Sequence, residues 1–358
     1  MWPSRRVSDL LGVEHPIIQA PMAGSCGVEM ALAASRAGGL GSLPCALLNS
    51  DQIRDQVETL RQASDRPFNL NFFCHEMPDA NRTREKQWRD ALRPYYAELG
   101  LDPDTSVGGA FRRPFDEAAC VLLEELRPPV VSFHFGLPPQ ALLARVKAAG
   151  CRVLSSATTV AEARWLEERG VDAIIAQGCE AGGHRGMFLK DDIASQPGTF
   201  ALVPQVVDAV SVPVIAAGGI ADDRGVAAAF ALGGEGVQIG TALLRTPESK
   251  VTPLHRALME TAGDDSSMLT RLFSGRPARG LANRLMRELG PMASVAPDFP
   301  LAGTALQPLK TEAEKQGRTD FSPLWAGQAV ALAKAEGTET VIRALSAASQ
   351  ARLCSFGH

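Results

Sequence analysis

A glycine-rich segment with a single histidine directly follows an apolar run in the middle of the chain. The run covers residues 171–175, and the segment that follows, residues 176–186, reads AQGCEAGGHRG. The run is typical of a buried strand. Small residues after a strand let a flat ligand approach the backbone, and an imidazole titrates near neutral pH. The segment therefore predicts a binding site in which His184 is a general base or a cation that holds an anionic substrate. A purely structural loop histidine is the alternative.

Two neighbours of His184 carry groups that chemistry could use. Gln177 ends the predicted strand, and its amide can offer a donor and an acceptor to the edge of a ring. Cys179 invites a nucleophile interpretation. We disfavour it because the carboxylate of Glu180 beside it opposes the reactive thiolate.

Polar or flexible residues also mark two earlier predicted strands. Asn69 and Asn71 alternate within residues 68–73, so a strand places both amides on one face. A buried amide needs a partner, which a bound heterocycle or a neighbouring core group would supply. Met22 lies in a turn after Pro21 that exposes backbone groups, although this segment alone favours a packing role for the methionine.

Two further glycine turns follow the last two predicted strands. Gly218 and Gly219 come after residues 212–217, and the second turn falls within the run Gln238, Ile239, Gly240 and Thr241. In α/β barrels, free amides after the seventh and eighth strands commonly hold a phosphate. Together with the ring-edge amides, they indicate a flat cofactor with one phosphate. FMN fits this pattern better than NAD, which needs two phosphate sites.

Short apolar strands and helices alternate along most of the chain. Eight strands are predicted, over residues 16–20, 40–44, 68–73, 130–135, 153–156, 173–176, 212–217 and 237–241. They are almost continuously apolar, as buried parallel strands are. The pattern predicts a (β/α)8 TIM barrel.

Two segments interrupt this alternation, and both follow the C-terminal end of a strand. We predict a barrel over residues 1–246 with a helical insertion at 74–129, a cap segment at 247–320, and C-terminal helices at 321–358 that return to the barrel. The two insertions would form a small helical cap over the rim. The first insertion could instead be a surface segment that is exposed to solvent and packs on nothing.

Composition excludes several classes of protein. The 358 residues carry a net charge of −4, which argues against a nucleic-acid partner. No apolar run reaches the length of a membrane helix, and the N-terminus lacks a signal-peptide core. The seven cysteines are scattered without a CxxC pair, so neither a metal site nor a disulfide framework is expected. These features predict a cytoplasmic protein without a metal.

At these residues the chain resembles the nitronate monooxygenases. The matching segments are residues 16–24, 69–71, 177–184, 217–220 and 238–241. The resemblance implies a (β/α)8 barrel that binds FMN without a covalent link. It implies the cofactor contacts Met22, Asn71, Gln177, Gly182, Gly219, Gln238, Ile239, Gly240 and Thr241. His184 would take the place of the active-site histidine.

The implied reaction is oxidative denitrification, in which a nitronate and O2 give a carbonyl compound and nitrite. Propionate 3-nitronate, a natural toxin, is the expected substrate, and detoxification the expected role. Its negative charges need cationic or polar partners, for which His184 and Lys310 are candidates. We expect a monomer or a homodimer. Family tyrosines near the substrate have no counterpart outside Tyr95 and Tyr96 of the first insertion.

Three other functions remain open from the sequence. A reductase on the same scaffold would use NAD(P)H to reduce the flavin, in the manner of quinone or enoyl-ACP reductases. A flavin-binding protein without turnover would act as a carrier or an interaction module. A phosphate-binding barrel without flavin, such as an aldolase or isomerase, is the third, although no strand-end lysine resembles a Schiff-base residue.

Overall fold

The computed structural model describes residues 1–79, 81–104 and 112–355, and its central feature is a closed parallel sheet. The strands, numbered in chain order, are β1 (Ile17–Gln19), β2 (Gly41–Pro44), β3 (Phe68–Phe73), β4 (Val130–His134), β5 (Arg152–Ala157), β6 (Ala173–Gln177), β7 (Gly183–His184), β8 (Val214–Ala217), β9 (Gly236–Ile239), β10 (Ser267–Thr270) and β11 (Ala278–Leu281). Eight of them pair in the order β1-β9-β8-β6-β5-β4-β3-β2. A parallel bridge between Ile18 and Leu40 closes the circle. The predicted (β/α)8 barrel is confirmed.

Helices cover the outside of the barrel, close its floor and extend beyond its rim. They are α1 (Arg6–Leu11), α2 (Val28–Arg36), α3 (Ser50–Ala63), α4 (Arg82–Glu98), α5 (Glu117–Leu126), α6 (Gln140–Ala148), α7 (Val160–Glu168), α8 (Thr199–Val207), α9 (Asp223–Ala231), α10 (Pro253–Thr261), α11 (Arg284–Leu289), α12 (Ala302–Lys315) and α13 (Thr338–Ser355). Helix α13 packs against α9 and α2 and so fills the eighth helical place of the barrel. Helix α1 contributes Val7 and Leu11 to a cluster with the strand residues Ile18 and Val130, which closes the barrel floor.

Two insertions build a cap at the opposite end, as the sequence predicts. One contributes α4, and the other, between β9 and α13, contributes α10, α11 and α12. Helices α4 and α12 pack together around a separate apolar cluster that includes Trp88, Leu92, Leu306 and Leu309. The two insertions therefore bury their apolar faces against each other. A surface segment exposed to solvent could not do this.

The structure differs from the sequence interpretation in two parts of the cap. Helix α5 packs against α3 and α6 and belongs to the barrel wall, although it lies within the segment assigned to the insertion. Its apolar face, including Cys120 and Leu123, is buried in the main core. The cap is also not purely helical, because β10, β11 and β7 form an antiparallel sheet. Among the described residues, no helix has the length and apolar character required to span a bilayer.

We predict that Trp88→Ala destabilises the protein by roughly 3–5 kcal/mol, because it removes a large buried side chain and leaves a cavity between α4 and α12. The Trp88 ring is 1% exposed, and its Nε1 donates to the Ala302 carbonyl at 3.0 Å. Urea unfolding of the two proteins measures the difference. Val121→Ala on α5 is the control, because its side chain is 50% exposed and should change the unfolding free energy by about 0.5 kcal/mol or less. Equal effects of the two substitutions would contradict the packing role of Trp88.

Candidate functional site

An open cavity with about 1210 Å³ of empty space lies at the C-terminal ends of the barrel strands. Most of the predicted site residues line it, namely Met22, Asn71, Gln177, Gly182, His184, Gly219, Gln238, Gly240 and Thr241. Ile239 does not, because its side chain is fully buried in the core of the barrel wall, so only its backbone is available. The structure does not bring Lys310 to the cavity either. Lys310 lies on α12, the helix that packs against α4 in the cap.

His184 is held where the barrel meets the cap sheet. It belongs to β7, which pairs with β11 so that His184 lies opposite Ala278. The ring Nε2 is 2.8 Å from the hydroxyl of the buried Ser274. Rings of Phe299 and Trp325 lie 5.3 and 5.5 Å from the imidazole centroid. Sequence reasoning missed all four of these neighbours, because they come from distant insertions that carry no local motif.

The surroundings of His184 hold its ring neutral at neutral pH. Burial is the main cause that lowers its pKa well below 6.5, and the charges of Arg112 and Arg276 lower it further. A neutral imidazole can accept a proton but cannot neutralise an anion. The structure therefore favours the general-base interpretation of His184 over the cationic one.

Hydrogen bonds on both sides of His184 clamp the loop after β6. The Gln177 amide nitrogen donates to the His184 carbonyl at 3.0 Å, and the Gly186 amide donates to Gln177 Oε1 at 2.7 Å. Arg185 is fully buried and donates to the Gln177 carbonyl at 2.8 Å and to Gln196 Oε1 at 2.9 Å. Most of the bonding capacity of the Gln177 amide thus holds the loop, which leaves one N–H for a ring edge.

A second histidine supports the first and was not predicted. His134 ends β4, with Nδ1 at 2.8 Å from Ser156 Oγ and Nε2 at 3.2 Å from the His184 carbonyl. Burial lowers its pKa to about 4, so this ring is also neutral. A polar residue at the end of an apolar strand is the signal that could have identified it.

The two asparagines of β3 have different surroundings. Asn71 lines the cavity and donates to Ser132 Oγ at 2.9 Å. Asn69 lies deeper in the barrel, and its amide nitrogen donates to the hydroxyls of Ser42 and Ser132 at 3.1 and 2.9 Å. Asn69 therefore has the core partners of the structural alternative, whereas Asn71 can also reach a ligand.

The rim after β8 and β9 offers donors without partners. Gly218 and Gly219 have φ of 114° and 71°, which favour glycine, and both residues line the cavity. Among the described residues, no backbone carbonyl accepts from the amides of Gly219 and Gly240. Thr241 Oγ1 accepts from the Gly327 amide at 2.9 Å, which leaves its hydroxyl hydrogen free to donate. These donors can hold a phosphate.

One acceptor in the cavity also lacks a partner. The side-chain oxygen of Gln238 is buried and, within the described ranges, accepts no hydrogen bond. A buried oxygen of this kind is costly unless a ligand donates to it. The ring N–H of a flat heterocycle would satisfy it, so the residues present fit a planar cofactor with one phosphate.

A short strap formed by residues 325–329 lies over the glycine loop. The Gln328 amide donates to the Glu180 carbonyl at 3.0 Å. A Cβ on Gly182 would lie 2.5 Å from the Gly327 nitrogen, so Gly182 is required for this close approach. The sequence assigned this segment to helices on the barrel wall, but only α13 lies there. Three strap residues, Trp325, Gly327 and Ala329, line the cavity instead.

The residues next to the glycine loop have structural contacts. The Glu180 carboxylate accepts from the Thr199 amide at 2.9 Å and from its hydroxyl at 2.8 Å at the start of α8. Cys179 does not line the cavity, and its carbonyl accepts from Arg279 Nε at 2.9 Å. In the described ranges, no group of three or more His, Cys, Asp or Glu side chains is placed to hold a metal ion.

Comparison with known proteins identifies the family of this chain. The family model for nitronate monooxygenase matches residues 4–347. The nitronate monooxygenase of Pseudomonas aeruginosa is 41% identical over 343 residues, which cover 95% of this chain and 97% of that protein. That of Paraburkholderia phytofirmans is 41% identical over 334 residues, which cover 92% and 91%.

Solved structures agree with the sequence relatives. Nitroalkane oxidase from Streptomyces ansochromogenes superposes with a TM-score of 0.87 at 36% identity, covering 98% of this chain and 99% of that one. FabK from Thermotoga maritima is more distant, with a TM-score of 0.71 at 28% identity and 98% coverage of both chains. The chain therefore belongs to the nitronate monooxygenase family of flavin-dependent oxidoreductases.

Proposed function

We propose that this chain is an FMN-dependent nitronate monooxygenase that oxidises alkyl nitronates with O2 to a carbonyl compound and nitrite. The observation that carries the proposal is the position of a neutral His184 across one cavity from the unpartnered amides of the β8 and β9 rim. Relatives named nitronate monooxygenase match nearly the full chain at 41% identity, which supports the same activity here.

The residues of the rim after β8 and β9 would hold the phosphate of FMN. The side-chain amides of Asn71, Gln177 and Gln238 would contact its ring. Gly219 and Gly240 offer backbone donors, and Thr241 offers a hydroxyl. Gln238 offers an acceptor to a ring N–H, and Gly182 lines the same cavity. When bound, FMN supplies the ability to take an electron from the substrate and pass electrons to O2.

His184 would act on the substrate through Nδ1. Its Nε2 is engaged by Ser274, and among the described residues Nδ1 has no hydrogen-bond partner. A neutral imidazole there can take the acidic α-proton of a parent nitroalkane, and in its other tautomer it can donate a hydrogen bond to a nitronate, which has already lost that proton. Phe299 and Trp325 lie beside the ring and make one side of it apolar.

We predict that His184→Asn keeps the flavin bound but lowers kcat/KM for a nitronate roughly 10²- to 10⁴-fold, because the substitution removes the ring nitrogen that would contact the reacting end of the substrate. Flavin content from absorbance and oxygen consumption measure the two effects separately. His15→Asn is the matched control, since His15 packs against Trp2 on the far side of the barrel. Unchanged kcat/KM in His184→Asn would remove His184 from the mechanism.

The lowered pKa of His184 also predicts the pH dependence. A base works only when deprotonated, so kcat/KM should stay level as the pH falls through 6.5 and decline only in more acidic solution. Initial rates in overlapping buffers give the profile. The His184→Asn profile identifies any decline that belongs to the nitronate itself. An acid limb with an apparent pKa at or above 6.5 that is absent from the variant would contradict a buried neutral base.

The decisive test of function is oxygen consumption with propionate 3-nitronate, run beside an NADH oxidation control. We expect oxygen uptake with release of nitrite, and no flavin bleaching when NADH is mixed in without oxygen. The likeness to FabK makes a reductase the second candidate. Rapid anaerobic bleaching by NADH together with no nitronate-dependent oxygen uptake would favour it. A yellow protein inactive in both assays would support the carrier alternative.

A further inference from the structure

The described residues that line the cavity include one lysine or arginine side chain, Arg112. The one carboxylate in that part of the lining belongs to Glu180, which is already bound by the amide and hydroxyl of Thr199. Within the described ranges Arg112 forms no salt bridge, and the remaining residues, Ala80, 105–111 and 356–358, contain no Asp or Glu. Arg112 is therefore a cation in the cavity without an acidic side chain to neutralise it.

The structure rules out the other two candidates for binding a negative charge, Lys310 and His184. Lys310 lies on α12 away from the cavity lining, and His184 is neutral. Burial also lowers the pKa of Arg112, which reflects a guanidinium that has lost part of its water. A desolvated cation is costly unless an anion pairs with it. The position thus calls for an anionic ligand.

A second guanidinium strengthens the positive potential at this end of the cavity. The Arg276 Cζ lies 4.1 Å from the centroid of the Phe135 ring, and that ring lies 6.0 Å from the His184 ring. In the described part of the chain Arg276 has no salt bridge, and its Nε is buried without a hydrogen-bond partner. Both arginines act on His184 through their charge. An anion bound beside His184 would be stabilised by both.

We propose that Arg112 binds the carboxylate tail of the substrate, so that this chain selects nitronates carrying a second negative charge at the end away from the nitronate group. A guanidinium fork matches a carboxylate with two parallel hydrogen bonds. This selection rests on the proposed function, because Arg112 would bind the substrate of that same reaction in the same cavity. Arg112 is thus a specificity-determining residue that replaces the predicted Lys310.

The test compares two nitronates of the same shape. Propionate 3-nitronate carries a carboxylate, and 3-methylbutane-1-nitronate carries an isopropyl group in its place. We expect wild-type kcat/KM to favour the carboxylate substrate roughly 10- to 100-fold, the range for a charged hydrogen-bonded pair. Arg112→Gln should remove this preference by raising KM for the carboxylate substrate alone, and Arg112→Lys should restore part of it. The assays run at pH 8, where His184 is neutral in every variant.

Arg113→Gln is the matched control, since Arg113 is exposed and does not line the cavity. Binding is measured without turnover by titrating the flavin absorbance with succinate and with 4-methylpentanoate, unreactive analogues of the two substrates. Succinate should bind more tightly to the wild type and lose that advantage in Arg112→Gln. Thermal unfolding confirms that each variant is folded.

Two results would overturn the assignment of Arg112. One is equal kcat/KM for the two nitronates in the wild type. The other is an equal loss on both substrates in Arg112→Gln, which would mark a structural role. If the wild type oxidises neither nitronate, the proposed function fails. The succinate titration then still decides whether Arg112 binds a carboxylate, so the two failures are distinguishable.

Discussion

The pairing of β7 with β11 is the interaction on which the candidate site depends. Without it, the loop after β6 would be a glycine-rich segment with many accessible conformations, since glycine restricts the backbone least. The cap sheet places His184 opposite Ala278, and Gln177 and Arg185 tie the loop back to the end of β6. The barrel and the cap therefore share the loop, and neither orients the histidine alone.

Desolvation then decides what the residues in the cavity can do. The same burial that keeps His184 neutral also strips water from Arg112, which stays charged because a guanidinium loses its proton only at high pH. A neutral imidazole and an unpaired cation in one cavity suit a substrate that carries negative charge, because the cation attracts it and the imidazole can form a hydrogen bond with its reacting end. The rings of Phe299 and Trp325 contribute to this burial of His184.

The cap supplies side chains and backbone groups to the site from distant parts of the chain. Ser274 and the strap around Gly327 come from the long insertion after β9, and Arg112 lies in the insertion after β3. Ser274 and the strap contact the barrel loops through hydrogen bonds with the His184 ring, the Thr241 hydroxyl and the Glu180 carbonyl, and through a close approach at Gly182. Such contacts leave no periodic pattern, because they depend on where two segments meet and not on local sequence.

The sequence by itself determined the barrel and the rim at which most of the candidate site residues lie. Eight apolar strands alternating with helices allow few other architectures, and the ends of parallel strands must meet at one rim, so His184, Gln177 and Gly219 could be placed from local pattern. Only the tertiary structure decided that Lys310 lies away from the cavity, that α5 belongs to the wall, and that Arg112 and Ser274 face the site. Those outcomes arise from packing between segments far apart in sequence, and the charge state of His184 likewise follows from burial, which no residue pattern contains.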